Sequence, residues 1–150
     1  MSDLPKFELS HVGLYVTDMD RMRDFYTQLL GFKVMDAGDV RGGRRLTFLS
    51  KDPKDHHQIV LVSGREKGAR STVNQITFRV ASIKEVRAMH DLAMANKVDA
   101  VDPVDHGNAW SVYFMDPEGN RVQFFSDMDQ IGWDGKSRPK EQWNRFEVDD

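Results

Sequence analysis

The sequence predicts an α+β fold of two tandem βαβββ modules whose mixed sheets curve into a half-barrel cleft. Three observations carry this expectation. Residues 10–34 lie without gaps on residues 74–98, so that Val12, Leu14, Met19, Met22, Phe25 and Leu30 meet Ile76, Phe78, Ile83, Val86, Met89 and Met94. Both stretches pass from strict alternation to a spacing of three and four, the change from strand period to helix period. At the same offset the "DP" at 52–53 meets the "DP" at 116–117.

The elements follow in order. Residues 8–16 alternate, with Val12, Leu14 and Val16 on one face and His11, Gly13 and Tyr15 on the other. Asp18 is a suitable N-cap for the helix that follows. Met19, Met22, Phe25, Tyr26, Leu29 and Leu30 form its sheet-facing stripe, and Gly31 ends it. Strands are expected at about 32–37, 44–50 and 57–63, with "RGGR" (41–44) as a hairpin turn. The second module repeats the plan: a strand at 73–80, a helix opened by Ser82, and strands at about 97–102, 109–115 and 120–126, the last two joined through "PEGN". Gln75, Thr77 and Arg79 oppose the apolar face of its first strand; Arg121, Gln123 and Phe125 do so in its last, and Tyr113 shares their face. The modules, about 8–64 and 73–127, are read as one domain over 1–127. A polar tail, 128–150, carries Trp133, Trp143 and Phe146, aromatics expected to pack across the domain or onto a partner subunit.

Composition limits the function classes. An apolar fraction of 39% with 30% charged residues suits a chain of 150 residues that folds around one core rather than a disordered one. A formal charge of −3 without a basic stripe argues against nucleic acid as partner. No apolar run is long enough for a membrane span, and "MSDLPKFEL" lacks the pattern of a signal peptide, so a cytoplasmic location is expected. The absence of cysteine excludes disulfides, thiolate metal sites and cysteine nucleophiles together.

"LSHVGLYVTDMDRMRDFYTQLLGFKV", "NQITFRVASIKEVRAMHD" and "VYFMDPEGNRVQFF" together resemble the vicinal oxygen chelate superfamily, which includes glyoxalase I, bleomycin and fosfomycin resistance proteins, and type I extradiol dioxygenases. The resemblance covers residues 8–127 and implies the vicinal oxygen chelate fold. "DHHQIVLV" (55–62) and "VNQITFRVASIKEV" (73–86) are most similar to the ring-cleaving extradiol dioxygenases, which implies an oxidoreductase acting on a catechol-type aromatic. It further implies Fe(II) or Mn(II) held at the positions of His11, Gln75 and Gln123, an acid/base histidine in the pair His56/His57, a tyrosine near a substrate hydroxyl at Tyr113, and a further ring-side histidine at His106.

The residues themselves depart from that pattern. Two imidazoles and a carboxylate suit Fe(II); this chain offers one imidazole and two neutral carboxamides. The remaining strand position, matched by setting "IVL" on "VQF", is Val60. Strand parity with Gln58 and Val60 turns His56 inward, whereas motif matching does not choose between His56 and His57. The first reading is therefore a ring-cleaving dioxygenase with an altered metal triad. The alternative is a metal-free pocket for an aromatic small molecule, walled by Tyr15, Tyr113, Phe125 and Trp110 or a tail tryptophan and oriented by the glutamines. Tyr15, Arg79 and Tyr113 on the inner face suit an acidic or phenolic ligand. A homodimer is expected in either case.

Overall fold

The computed structural model describes residues 4–6, 8–105, 109–127 and 144–145. Two compact units divide the chain, Met1–Arg70 and Ser71–Asp150. Each contains one βαβββ module, with the addition of one short strand in the second.

In the first unit β1 (Val12–Val16), β2 (Lys33–Val40), β3 (Arg44–Ser50) and β4 (Ile59–Ser63) form a sheet in the order β1-β4-β3-β2. β1 and β4 run parallel, as a crossover through a helix demands, while the hairpins β2–β3 and β3–β4 are antiparallel. Leu14, Val16, Leu49, Ile59 and Leu61 point to one face and are buried there. Helix α1 (Met19–Asp24) covers that face. Its first turn is capped by Asp18, whose side chain accepts from the Arg21 N–H at 3.0 Å. The helix then widens into a π turn over Phe25–Leu29, with the Leu30 N–H donating to the Phe25 carbonyl. The wider turn lets the consecutive residues Phe25 and Tyr26 both bury. Gly31, at φ 78°, provides the left-handed stop.

In the second unit β5 (Ile76–Arg79), β6 (Ala100–Asp105), β7 (Ala109–Met115) and β8 (Arg121–Asp127) take the corresponding order, β5-β8-β7-β6, and β9 (Asn144–Arg145) extends it beyond β6. Helix α2 (Ile83–Ala95) buries Val86 and Ala93. Val112, Phe114, Val122 and Phe124 make the facing core, with Phe124 between the rings of Phe114 and Phe78 at centroid distances of 5.1 and 5.5 Å. Full burial of such a side chain contributes about 1.5–3 kcal/mol. Ser82 occupies the N-cap position of α2, but its hydroxyl bonds the Glu85 carboxylate rather than a backbone N–H. That bond is the main reason the Glu85 carboxyl titrates below its ordinary value.

The "DPEGN" segment is a built turn. The buried Asp116 carboxylate accepts from the N–H groups of Glu118 and Asn120 and from the Asn120 side chain. Gly119 takes φ 83°, the conformation such a turn asks of glycine. Several bounds differ from the sequence expectation: β1 starts at 12 and β5 at 76, and β6 runs over 100–105. β9 is an element the alternation did not signal, being only two residues long. Among the described residues no helix is long and apolar enough to cross a membrane.

Candidate functional site

Each sheet has a helix-covered face and a second face, and the second faces carry the candidate residues. The parallel registers make the correspondence explicit. Gly13 pairs with Val60 and Thr77 with Gln123, so Val60 is the counterpart of Gln123. Across the antiparallel pairs the row in the first unit reads Gly13–Val60–Phe48–Asp36, and in the second Thr77–Gln123–Tyr113–Val101.

In the second unit the polar row closes on itself. The Gln123 Oε1 accepts from Gln75 Nε2 at 3.0 Å and from the Thr77 hydroxyl at 2.9 Å. Its Nε2 donates to the Tyr113 oxygen at 3.1 Å, and Gln75 Nε2 also reaches Thr77 Oγ1 at 3.1 Å. Gln123 is only 7% exposed, so these partners replace water for its amide. Arg121 lies over the Tyr113 ring at 5.3 Å and Arg79 over the Phe125 ring at 4.6 Å.

In the first unit the row is apolar and half-exposed, and the polar groups stand at its ends. The turn "KDPKDHH" is fixed by Ser50, which accepts from the Asp52 N–H, by Asp52, which accepts from the Lys54 N–H, and by Gln58, which accepts from the Lys51 N–H. It presents His56 and His57 to Phe48, with ring centroids 4.7 and 4.9 Å away. His56 Nε2 meets Asp36 Oδ2 at 3.2 Å, and His56 Nδ1 meets His57 Nδ1 at 2.9 Å. An ionised carboxylate only accepts, so neutral His56 carries its proton on Nε2 and His57 donates from Nδ1. His57 Nε2 then holds the lone pair. The His57 ring lies 3.9 Å from that of His11, whose Nδ1 is 3.0 Å from Ser10 Oγ. Burial first, then the neighbouring His11 and His56, push the His57 pKa below the ordinary imidazole value. The hydrogen bond from His56, with a backbone N–H from Ala37, holds Asp36 below its ordinary value.

At the far end of this face Tyr15, 57% exposed, accepts a hydrogen bond from Arg44 Nη1 at 3.3 Å. The structure thus brings His11, His56 and His57 together, and separately Gln75, Gln123 and Tyr113. Asp36 and Phe48 join the first group without having been singled out in the sequence. His106 lies outside the described residues, as does the tail but for the strand at 144–145.

The chemistry of these donors does not fit a catalytic Fe(II) or Mn(II). Gln123 and Gln75 bring no charge, and the Gln123 oxygen already accepts two hydrogen bonds. Val60 brings no donor, and both nitrogens of His56 are engaged. Among the described residues no three His, Asp or Glu side chains converge as a metal set.

Comparison with known proteins places the chain. The model of the Glyoxalase/Bleomycin resistance protein/Dioxygenase superfamily matches residues 8–124. The chain is 27% identical over 129 residues to biphenyl-2,3-diol 1,2-dioxygenase 2 of Rhodococcus globerulus, covering 82% of this chain and 63% of that protein. It is 29% identical over 132 residues to metapyrocatechase 2 of Cupriavidus necator, covering 85% and 38%. The chain therefore spans less than two thirds of these relatives. The fosfomycin resistance protein FosX of Listeria monocytogenes, solved with Mn(II) and sulfate, shares the fold at a TM-score of 0.64 and 18% identity, over 81% of this chain and 93% of that one. Repeat, sheet order and family match agree: the chain belongs to the Glyoxalase/Bleomycin resistance protein/Dioxygenase superfamily.

Proposed function

We propose that this chain binds a catechol-type aromatic small molecule without a metal, as an extradiol-dioxygenase-like protein whose ligand positions have become hydrogen-bonding positions. The observation that carries the reading is the Gln123 amide, bonded by Gln75, Thr77 and Tyr113 where a metal-binding site needs a free anionic oxygen. The half-exposed Phe48 and Val60 supply apolar contact for a ring, and Tyr15 stands beside them. His57 Nε2 supplies an acceptor for a phenolic hydroxyl. In the second unit Arg79 and Phe125, beside the closed polar row, form a further polar and aromatic surface for such a ligand.

The names of the sequence relatives favour a second reading, ring cleavage, in which His56 or His57 moves a proton beside the ring and Tyr113 orients a hydroxyl. One experiment separates the two. Catechol binding is measured by calorimetry with and without a chelator, and ring opening is followed by absorbance after anaerobic loading with Fe(II) or Mn(II). The metal-free reading expects chelator-independent binding, substoichiometric metal and no ring-opened product. Stoichiometric metal together with ring opening would overturn it.

A further inference from the structure

We infer that the second face of the first unit selects an aromatic carboxylate over a plain catechol, with Arg44 as the residue that reads the acid. The inference rests on the aromatic-ligand reading above and adds the ligand's second functional group. Arg44 opens β3, and its Cζ stands 5.3 Å from the centroid of the Tyr15 ring, with one N–H donated to the phenol oxygen. Among the described residues no carboxylate lies within ion-pair reach of Arg44, whereas Arg23 and Arg45 both find Asp20. A guanidinium held by a ring and one hydrogen bond keeps further N–H donors for an incoming anion, in the fork geometry that matches a carboxylate.

The floor beside it has the dimensions of one ring. Tyr15, Val62 and Leu46 form one cross-strand row, and Gly13, Val60 and Phe48 the next. His11, with His57 against it, stands beyond. At Gly13 the floor is bare: a Cβ there would come within 3.2 Å of Val60 Cγ1. His11 and Tyr15 are four residues apart on extended chain, a separation of about 13 Å at ~3.3 Å per residue. That span takes a benzene ring with a polar group at each end. The His57 end offers an imidazole lone pair for a hydroxyl, and the Arg44 end offers donors and positive charge for an acid. The ligand class is a hydroxylated arene carboxylate with its two functions on opposite sides of the ring.

The test uses the full chain and two probes, catechol and 3,4-dihydroxybenzoate, titrated by calorimetry against the native protein, Arg44→Gln and Arg44→Lys. The expected result is a preference of about tenfold for the acid in the native protein, the size of one charge-assisted hydrogen-bonded contact. Arg44→Gln removes that preference by weakening the acid alone, and Arg44→Lys restores part of it as a point charge without the fork. Raising salt from about 0.05 to 0.5 M shrinks the preference, because the guanidinium is exposed. Equal affinity for both probes in the native protein overturns this inference while leaving the aromatic reading in place. A preference unchanged in Arg44→Gln overturns it too, since another group would then read the acid. If neither probe binds, it is the aromatic reading that falls.

Discussion

The same three positions on two copies of one scaffold carry opposite chemistry. In the first unit Gly13, Val60 and Phe48 make a bare apolar row, and the polar groups have moved out to a turn and a strand end. In the second Thr77, Gln123 and Tyr113 make a polar row whose hydrogen bonds are used among themselves and with Gln75. The first arrangement leaves half-exposed apolar surface and, on His57, an imidazole nitrogen outside the bond to His56. The second spends its polarity on holding strands together. A repeat therefore fixes where side chains point but not which of them remain available to a ligand.

The largest effect in this comparison belongs to the polar row. Gln123→Leu keeps similar volume but removes the buried amide that ties together the exposed Gln75 and Thr77 and the half-buried Tyr113. The three hydrogen bonds lost contribute about 0.5–1.5 kcal/mol net each, so a loss of about 2–3 kcal/mol is expected in denaturant unfolding. A loss below ~0.5 kcal/mol would mean that the row is solvated and that the amide remains open to a ligand. In the first unit Phe48→Ala has a smaller effect, about 1–2 kcal/mol, because the ring is only half-buried. Its sharper signature is local: His56 and His57 both lose the ring they pack on, and their imidazole NMR signals should shift while those of Tyr113 do not.

Much of this contrast was legible in the sequence, and the part that was not has identifiable causes. The repeat made Gln75 the counterpart of His11, setting "IVL" on "VQF" made Val60 that of Gln123, and the sheet registers agree on the second correspondence. Asp36 was missed because alternation from Val34, which pairs with the buried Leu49, assigns Asp36 to the helix side. A bulge between Val34 and Asp36 brings Asp36 opposite Phe48 instead, within reach of His56. No residue type in "KVMDAGDV" announces that bulge. Strand parity turned His56 rather than His57 inward, but both precede β4, in a turn where parity does not apply. The structure uses both, one toward Asp36 and the other toward His11.

Acid should affect the first unit's cluster and leave the second unit's row alone. His57 has a lowered pKa in the folded chain, so the unfolded chain binds its proton more readily. Its contribution to stability is complete above the ordinary imidazole value of about 6.5 and is lost as pH falls through the lower folded value. Asp36, also lowered, adds a loss only at more acid pH, below the ordinary carboxylate range. The row of Gln75, Thr77 and Gln123 has nothing to titrate in either window. Stability measured from pH about 7 down to 5 should therefore fall more in the native protein than in His57→Gln. Parallel curves would show that His57 is hydrated like a free imidazole.

The smallest effect on stability carries the most information about binding. Gly13→Ala puts a methyl on the floor between Tyr15 and His11, 3.2 Å from Val60 Cγ1, a contact that a tilt of the valine side chain relieves. Replacing a strand glycine also gains backbone entropy, about 0.5–1 kcal/mol, which offsets the crowding. Unfolding should thus change by less than ~0.5 kcal/mol. A planar ring lying on Gly13 and Val60 is lifted by that methyl and loses dispersion contact across its face. Affinity for an aromatic probe should then fall about tenfold, whereas Thr77→Val on the matching position of the second unit should leave it unchanged. If the two variants lost affinity equally, the bare row would have no special claim on the ligand, and the second unit's polar row would share the work of binding.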